Sequence, residues 1–483
     1  VTTLFHCFWC IIEAFQLWHY VLKRVPLVSD VNAPTDLPLE KKHFKFPKWS
    51  ELAYAIQASG MKERLWFTFF ALAIFRFCVQ IPVWGVNAEA LKALGANNPI
   101  LAMVDMFSGG ALASLSVMAL GIGPYITASI VMQLLTAVIP KLEEFQKDGG
   151  EAGRRQISQI TRYASVGIAL LQSFVVVRLF TNNAGILMPG VDPAWFFPAA
   201  LTALTAGSLF SVWLSELITE RGVGNGSSIL IFVGIISALP FYISKTAALL
   251  QADPTRWVGL GVLLAIYALT ITLIVLLQES FYKVYIVQAR RQVGRKIYGG
   301  GDSFIPFKLN PAGVMPLIFT FILLSFPSVI VDFVMQSKPT GLLFDALLQY
   351  KKWMVPSSPI YIAVEFGLIL FFSYFYVTLV PSLQPKQIAE NLRKHGNAIS
   401  GVKPGSPTGD YLEALISKLT FIGASMLGVI TLIASSSTSM TGISTLAGLG
   451  TTALIIMVGV ALDTVNQIRV QLLAKQYEGF LKS

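Results

Sequence analysis

MFSGGALASLSVMALGIGPYITASIVMQLL, residues 106–135, sets a short Gly-rich segment directly ahead of a long apolar helix. A membrane span does not ordinarily begin this way. Around Ser108-Gly109-Gly110 the backbone N–H and C=O groups have little side-chain cover, and hydrocarbon tolerates such backbone only where protein or a water-filled cavity surrounds it. The stretch reads as a half-inserted element inside a pore, followed by a span.

The composition agrees with a membrane setting. Apolar residues make up 54% of the 483 and charged residues 13%, with a mean hydropathy of +0.65, whereas about a quarter of an average soluble domain is charged. At about 20 apolar residues per crossing, the chain is predicted to be a polytopic membrane protein of ten spans. These are placed near residues 66–88, 118–139, 159–181, 195–217, 226–244, 257–281, 311–336, 360–381, 413–437 and 443–468. The loops between them leave no room for a large soluble domain. Ten spans also permit two inverted groups of five, although no identity between halves is visible.

The net charge of +10 is distributed unevenly. Loops on one side hold Lys141, Lys147, Arg154 and Arg155, then Arg221, the run Lys283 to Lys308, Lys386 to Lys403, and Arg469 onward. The other side holds Lys92, Arg178, Lys245, Arg256, Lys338, Lys351 and Lys352. This is the positive-inside bias rather than a nucleic-acid footprint, and it places both chain ends in the cytosol or its equivalent. Three cysteines make no disulfide framework, and Cys7-Phe8-Trp9-Cys10 is a single CxxC pair in an apolar segment. The four histidines lie outside the expected spans, so no histidine relay crosses the membrane. Glu365 and Asp463 are intramembrane carboxylates, and Arg76 is a basic residue well inside a span that could face them. No cofactor is implied.

The wording SGGAL and ALGIGPYITASI resembles the SecY family of protein-conducting channels. So does the approach to the first span, MKERLWFTFFALAIFRFCVQIPVWGVN, and the RGVGNG turn before the fifth. The resemblance covers roughly residues 48–483. It implies an all-α membrane protein of ten helices in two pseudosymmetric halves, 48–244 and 245–483, with a short plug helix. Residues 1–47 match nothing in that family and read as an interfacial helix, a targeting remnant or an extra anchor followed by a Pro-rich linker.

A pore that passes polypeptide must be closed to ions by an apolar constriction that can dewet and deform. The family's ring falls on Ile122 and Ile126 in the second span, Ile231 in the fifth, Ile318 in the seventh and Ile456 in the tenth, with Ser227, a polar departure, at the sixth position. Met106, Phe107, Ser108, Gly109, Gly110, Ala111 and Leu112 fall on the plug. Thr127, Gln133 and Asn310 fall at the polar positions of a lateral gate between the second and seventh spans, a seam through which apolar signal peptides reach membrane lipid. Arg290, Arg291, Arg295 and Lys296 in one basic loop, and Lys403 in another, occupy docking positions for a ribosome, including its RNA, or for a motor. Lys403 replaces an arginine of the family's GIRPG element.

The implied partners are a SecE-type clamp, a SecG-type subunit and a SecA-type ATPase or a ribosome with its nascent chain. The expected membrane is a bacterial plasma membrane, with a thylakoid or plastid membrane as the alternative. The competing reading is a secondary transporter of a small solute. That class calls for a polar midplane site where this chain has isoleucines. A third reading, an insertase or structural subunit with a vestigial pore, rests on Ser227 and Lys403.

Overall fold

The computed structural model describes residues 61–87, 105, 108–112, 114–147, 150–181, 187–188, 190–253, 256–288, 291–293, 296–298, 302–336, 342–355, 358–379, 384–441 and 451–482. The Cys7–Cys10 pair, the expected boundary at residue 47, and the site residues Met106, Phe107, Arg290 and Arg295 lie outside these described residues. The first half contains α1 (Met61–Val79), α2 (Gly123–Val138), the short α3 (Pro140–Lys147), α4 (Gly150–Thr181), α5 (Pro193–Arg221) and α6 (Gly226–Ala252). The second contains α7 (Trp257–Glu279), strands β1 (Phe281–Gln288), β2 (Arg291–Val293), β3 (Lys296–Tyr298) and β4 (Asp302–Lys308), then α8 (Met315–Gln336) and α9 (Leu342–Trp353). It continues with α10 (Pro359–Leu379), α11 (Pro385–Lys394), β5 (Asn397–Ile399), α12 (Ser406–Thr441) and α13 (Thr451–Lys482).

Seven of these helices, α4 to α7, α10, α12 and α13, are long and apolar enough to cross a membrane, and α2 and α8 add the shorter apolar segments Gly123–Val138 and Met315–Ser325. The remaining expected span, the first, is α1, which is diluted by Lys62, Glu63, Arg64 and Arg76. Two expected boundaries move. The first span ends at Val79 rather than residue 88, because Pro82 cannot donate to a helix and instead forms a β-bridge with Ser116. The second begins at Gly123 rather than residue 118, where Pro124 occupies the first turn and residues 118–122 are turns.

The packing pattern repeats between the halves. In the first, α1 packs on α5, α2 on α4, α4 on α5, and α5 on α6. Advancing each partner by five spans gives α7 on α12, α8 on α10, α10 on α12, and α12 on α13, and all four contacts are present. The internal symmetry is therefore carried by shape where residue identity does not carry it. The halves meet along two lines, α6 against α13 and α8 against both α2 and α4.

Helix α5 shows how a central position is built. Gly207, Ser208, Ser211 and Ser215 are all buried on it, and small residues let neighbouring backbones approach closely within a membrane. Long side chains take the outer faces instead: Trp84, Trp195, Trp257 and Trp353 are 76%, 78%, 60% and 46% exposed. All four stand at the helix ends opposite the basic loops, where indole rings suit a membrane interface.

Helix α6 begins at Asn225, whose Oδ1 accepts hydrogen bonds from the Ser227 N–H at 3.1 Å and the Ser228 N–H at 3.5 Å. Asn225→Ala is expected to cost about 1 kcal/mol through loss of the cap, seen as a lowered melting temperature in detergent with Asn225→Asp restoring most of it.

Candidate functional site

Four helices from both halves deliver isoleucines to one contiguous apolar cluster. Ile122 and Ile126 lie one turn apart at the start of α2, Ile231 on α6, Ile318 on the first turn of α8, and Ile456 on α13. Their exposures are 7%, 9%, 4%, 4% and 0%. Ile235, Val314 and Leu317 belong to the same cluster. Ser227, expected at the sixth ring position, is partly exposed at the first turn of α6, and its hydroxyl donates to Asn225 Oδ1 at 2.6 Å.

Of the expected plug, Asp105 and Ser108 are helical among the described residues, the Gly110 N–H reaches the Asp105 carbonyl at 3.0 Å, and the Leu112 N–H reaches Ser108 Oγ at 3.2 Å. Gly109 and Gly110 then take φ of 72° and 87°, the left-handed region where glycine alone is free of strain, and turns follow as far as α2. Ala111, fully buried, joins the isoleucine cluster. Leu112 and Leu115 instead join a second cluster with Val83, Val177, Phe196 and Leu204. Backbone pairing pins this segment down: the Val83 N–H donates to the Leu115 carbonyl and the Val117 N–H to the Ile81 carbonyl, both at 3.0 Å. On the other side the Val117 carbonyl lies against Gly207 of α5, 1.9 Å from where a Cβ would stand.

One polar contact here was not foreseen from the sequence. Arg76, near the end of α1, donates from Nη1 to the Gly109 carbonyl at 3.0 Å. A cation within a predicted span was the available signal.

The three polar gate residues do not bond one another. Thr127 Oγ1 donates to the Gly123 carbonyl at 3.0 Å, Gln133 Nε2 to Ser129 Oγ at 3.1 Å, and Asn310 Nδ2 to the Gly313 carbonyl at 2.8 Å. Each finds a partner on its own segment because such local acceptors are always within reach, whatever the neighbouring helix does. Thr127 and Gln133 lie on α2, whereas Asn310, 2% exposed, sits in the turn before α8 and is packed against Gly423 of α12. Two buried atoms on the facing helices, Gln133 Oε1 on α2 and Thr320 Oγ1 on α8, have no hydrogen-bond partner. Asp463 is not isolated: its carboxylate lies 3.8 Å from Lys308 Nζ of β4.

The two basic loops form one structure. Strand β1 pairs antiparallel with β4, Phe281 opposite Lys308 and Val287 opposite Asp302, and on its other edge with β5, Ile286 opposite Ile399. Val284 and Ile286 point inward at 3% and 7% exposure and pack with Phe307, Leu392, Ile399 and Leu412, while Tyr285 and Val287 face outward. That period-two alternation in FYKVYIVQ is a strand signature. Arg291 and Lys296 stand on the β2–β3 extension, opposite Tyr298 and Val293. Lys403 is exposed beyond β5, and its carbonyl accepts from Thr408 Oγ1 at 2.8 Å, fixing the turn that presents it.

Comparison with known proteins gives this geometry a family. Residues 116–465 match the SecY family model. The protein translocase subunit SecY of Synechococcus elongatus is 42% identical over 434 residues, covering 88% of this chain and 95% of that one. Among solved structures, one of a SecY protein, whose plug domain stabilises the closed state and maintains a membrane seal, superposes with a TM-score of 0.63 at 17% identity, covering 85% of this chain and 92% of its own. Sec61 in the canine ribosome-channel complex from the endoplasmic reticulum superposes with a TM-score of 0.56 at 16% identity, with the same coverage of 85% and 92%.

Proposed function

The chain belongs to the SecY family, and from that premise we infer that it is a protein-conducting channel, passing unfolded secretory chains across the membrane and releasing apolar segments sideways into lipid. The observation that carries this reading is the isoleucine cluster: buried side chains from α2, α6, α8 and α13, drawn from both halves, share one apolar cluster that also takes in the plug's Ala111. Branched aliphatic groups exclude water at rest and yield to side chains of any shape, because they make no directional bonds.

Ile122, Ile126, Ile231, Ile318 and Ile456 form the constriction. Ser227 takes the ring's sixth, polar position, and residues 106–112 act as the plug. The lateral gate is the line where α8 meets α2 and α4. Gln133 Oε1 and Thr320 Oγ1 support that assignment, since each unpaired buried polar atom costs about 1–3 kcal/mol and makes the closed seam easier to part. The β4–β1–β5 sheet, with Arg291, Lys296 and Lys403, is the docking platform for a ribosome or a SecA-type ATPase, which supplies the driving force. Arginine and lysine there suit ribosomal RNA phosphates or an acidic protein surface. A SecE-type subunit clamps the halves and a SecG-type subunit accompanies them. The chain spans its membrane many times, and we place both ends of the span array in the cytosol of a bacterial plasma membrane or the equivalent side of a thylakoid or plastid membrane.

A photocrosslinker at Thr127 or Ile318, presented with ribosome-bound nascent chains, tests this reading. Adducts are expected only when the nascent chain carries a signal sequence. No adduct at either position, together with uptake of a small solute by vesicles holding the protein, replaces the channel by a transporter.

A further inference from the structure

We propose that Arg76 is the positioning residue that latches the plug, its guanidinium holding the Gly109 carbonyl in the closed channel. The proposal rests on the reading of residues 106–112 as a plug, and goes beyond it by naming what holds them.

A cation in a membrane span is costly and persists where it has a partner. Arg76 sits on the last turn of α1, half-buried. Among the described residues its hydrogen bond is to the Gly109 carbonyl at 3.0 Å, and no described carboxylate forms an ion pair with it. A carbonyl is a weaker partner than a carboxylate. The bond is therefore strong enough to bias the plug and weak enough to release it, which a salt bridge on a moving element would not be.

Gly109 is shaped to receive this contact. Its φ of 72° lies in the left-handed region, and a Cβ there would stand 3.1 Å from Arg76 Nη1, 3.1 Å from Gly234 Cα and 3.2 Å from Ser237 Oγ. The plug backbone is thus clasped between α1 and the small-residue face of α6. Its neighbours reinforce the turn, since Ser108 Oγ donates to the Asp105 carbonyl at 2.8 Å and accepts from the Leu112 N–H. Releasing Arg76 frees a side-chain tether from α1 to Gly109, while the backbone pairs at Leu115 and Val117 still hold the segment's far end. The plug would then swing about residues 115–117 rather than leave the funnel entirely.

The test measures resting ion conductance of the full chain in planar bilayers, alongside export of a substrate lacking its signal sequence. R76M keeps the length of the side chain and removes the donors. It is expected to raise resting conductance by about tenfold to a hundredfold, the range implied by losing a charge-assisted hydrogen bond, and to admit the signal-less substrate. R76K, which keeps one charged donor, is expected to restore most of the seal, and R76M added to a deletion of residues 106–112 is expected to change nothing further. If the deletion leaks but R76M is as tight as the parent, the latch is wrong and the plug reading stands. If the deletion itself stays tight, the plug reading fails. Equal leakage by R76M and R76K, additive with the deletion, makes Arg76 a structural residue of α1 and overturns the proposal.

Discussion

Ile456→Ser is expected to unseal the resting channel, raising its ion conductance at least about thirtyfold. The side chain is fully buried within the cluster that joins the halves. Truncating a buried aliphatic residue costs about 2–5 kcal/mol. That penalty falls on the closed state, where the ring is packed, and largely spares the open state, where it is parted. The lower figure of about 2 kcal/mol already corresponds to a shift of roughly thirtyfold in the closed-to-open ratio. The hydroxyl adds to this by giving water a hydrogen-bonding foothold at a constriction that closes by dewetting. Val470→Ser on the same helix is the control, because Val470 is 65% exposed and lies outside the cluster. A tight Ile456→Ser channel in bilayers would remove that residue from the seal.

Gly207→Ala is expected to have the largest effect on stability. The added methyl carbon would lie 1.9 Å from the Val117 carbonyl oxygen and 2.7 Å from its carbon, both backbone atoms held in place by the pairing of residues 115–117 with residues 81–83. Neither partner is the end of a flexible side chain, so α5 and the plug's anchor must separate. The cost should reach or exceed the upper end of the roughly 1–3 kcal/mol typical of overpacking. The measurement is the half-life of the detergent-solubilised protein at raised temperature, which reports operational stability for a large membrane protein. Gly367→Ala on α10 meets nothing within 4 Å and is expected to be neutral or slightly stabilising, since alanine is favoured over glycine in a helix by up to about 1 kcal/mol. Similar half-lives for the two variants would rule out the close approach at Gly207.

The membrane class and the span order followed from local sequence. Runs such as Trp257–Glu279 and Pro359–Leu379 are apolar over a bilayer's thickness, and a backbone surrounded by lipid has to satisfy its hydrogen bonds within a helix. The expected sidedness rests on lysine and arginine counts, an equally local signal. The five isoleucines and the Gly109-Gly110 break were also visible as residues, but no periodicity said that they meet.

Contacts across long sequence distances had to come from the tertiary structure. The partnership of Arg76 with Gly109 links residues 33 positions apart, and the pairing of Ile286 with Ile399 turns two separately basic loops into one sheet. Asn225 took the hydroxyl of Ser227 for its cap, and the gate polars bonded acceptors on their own segments, because a local acceptor costs little conformational entropy to reach. The likeness of the two halves is invisible residue by residue, yet it appears in which helix packs on which. Apolar helix faces are chemically interchangeable, so sequence determined that each helix would be buried or bathed in lipid. Only packing in three dimensions decided against which neighbour, and so where a pore could close.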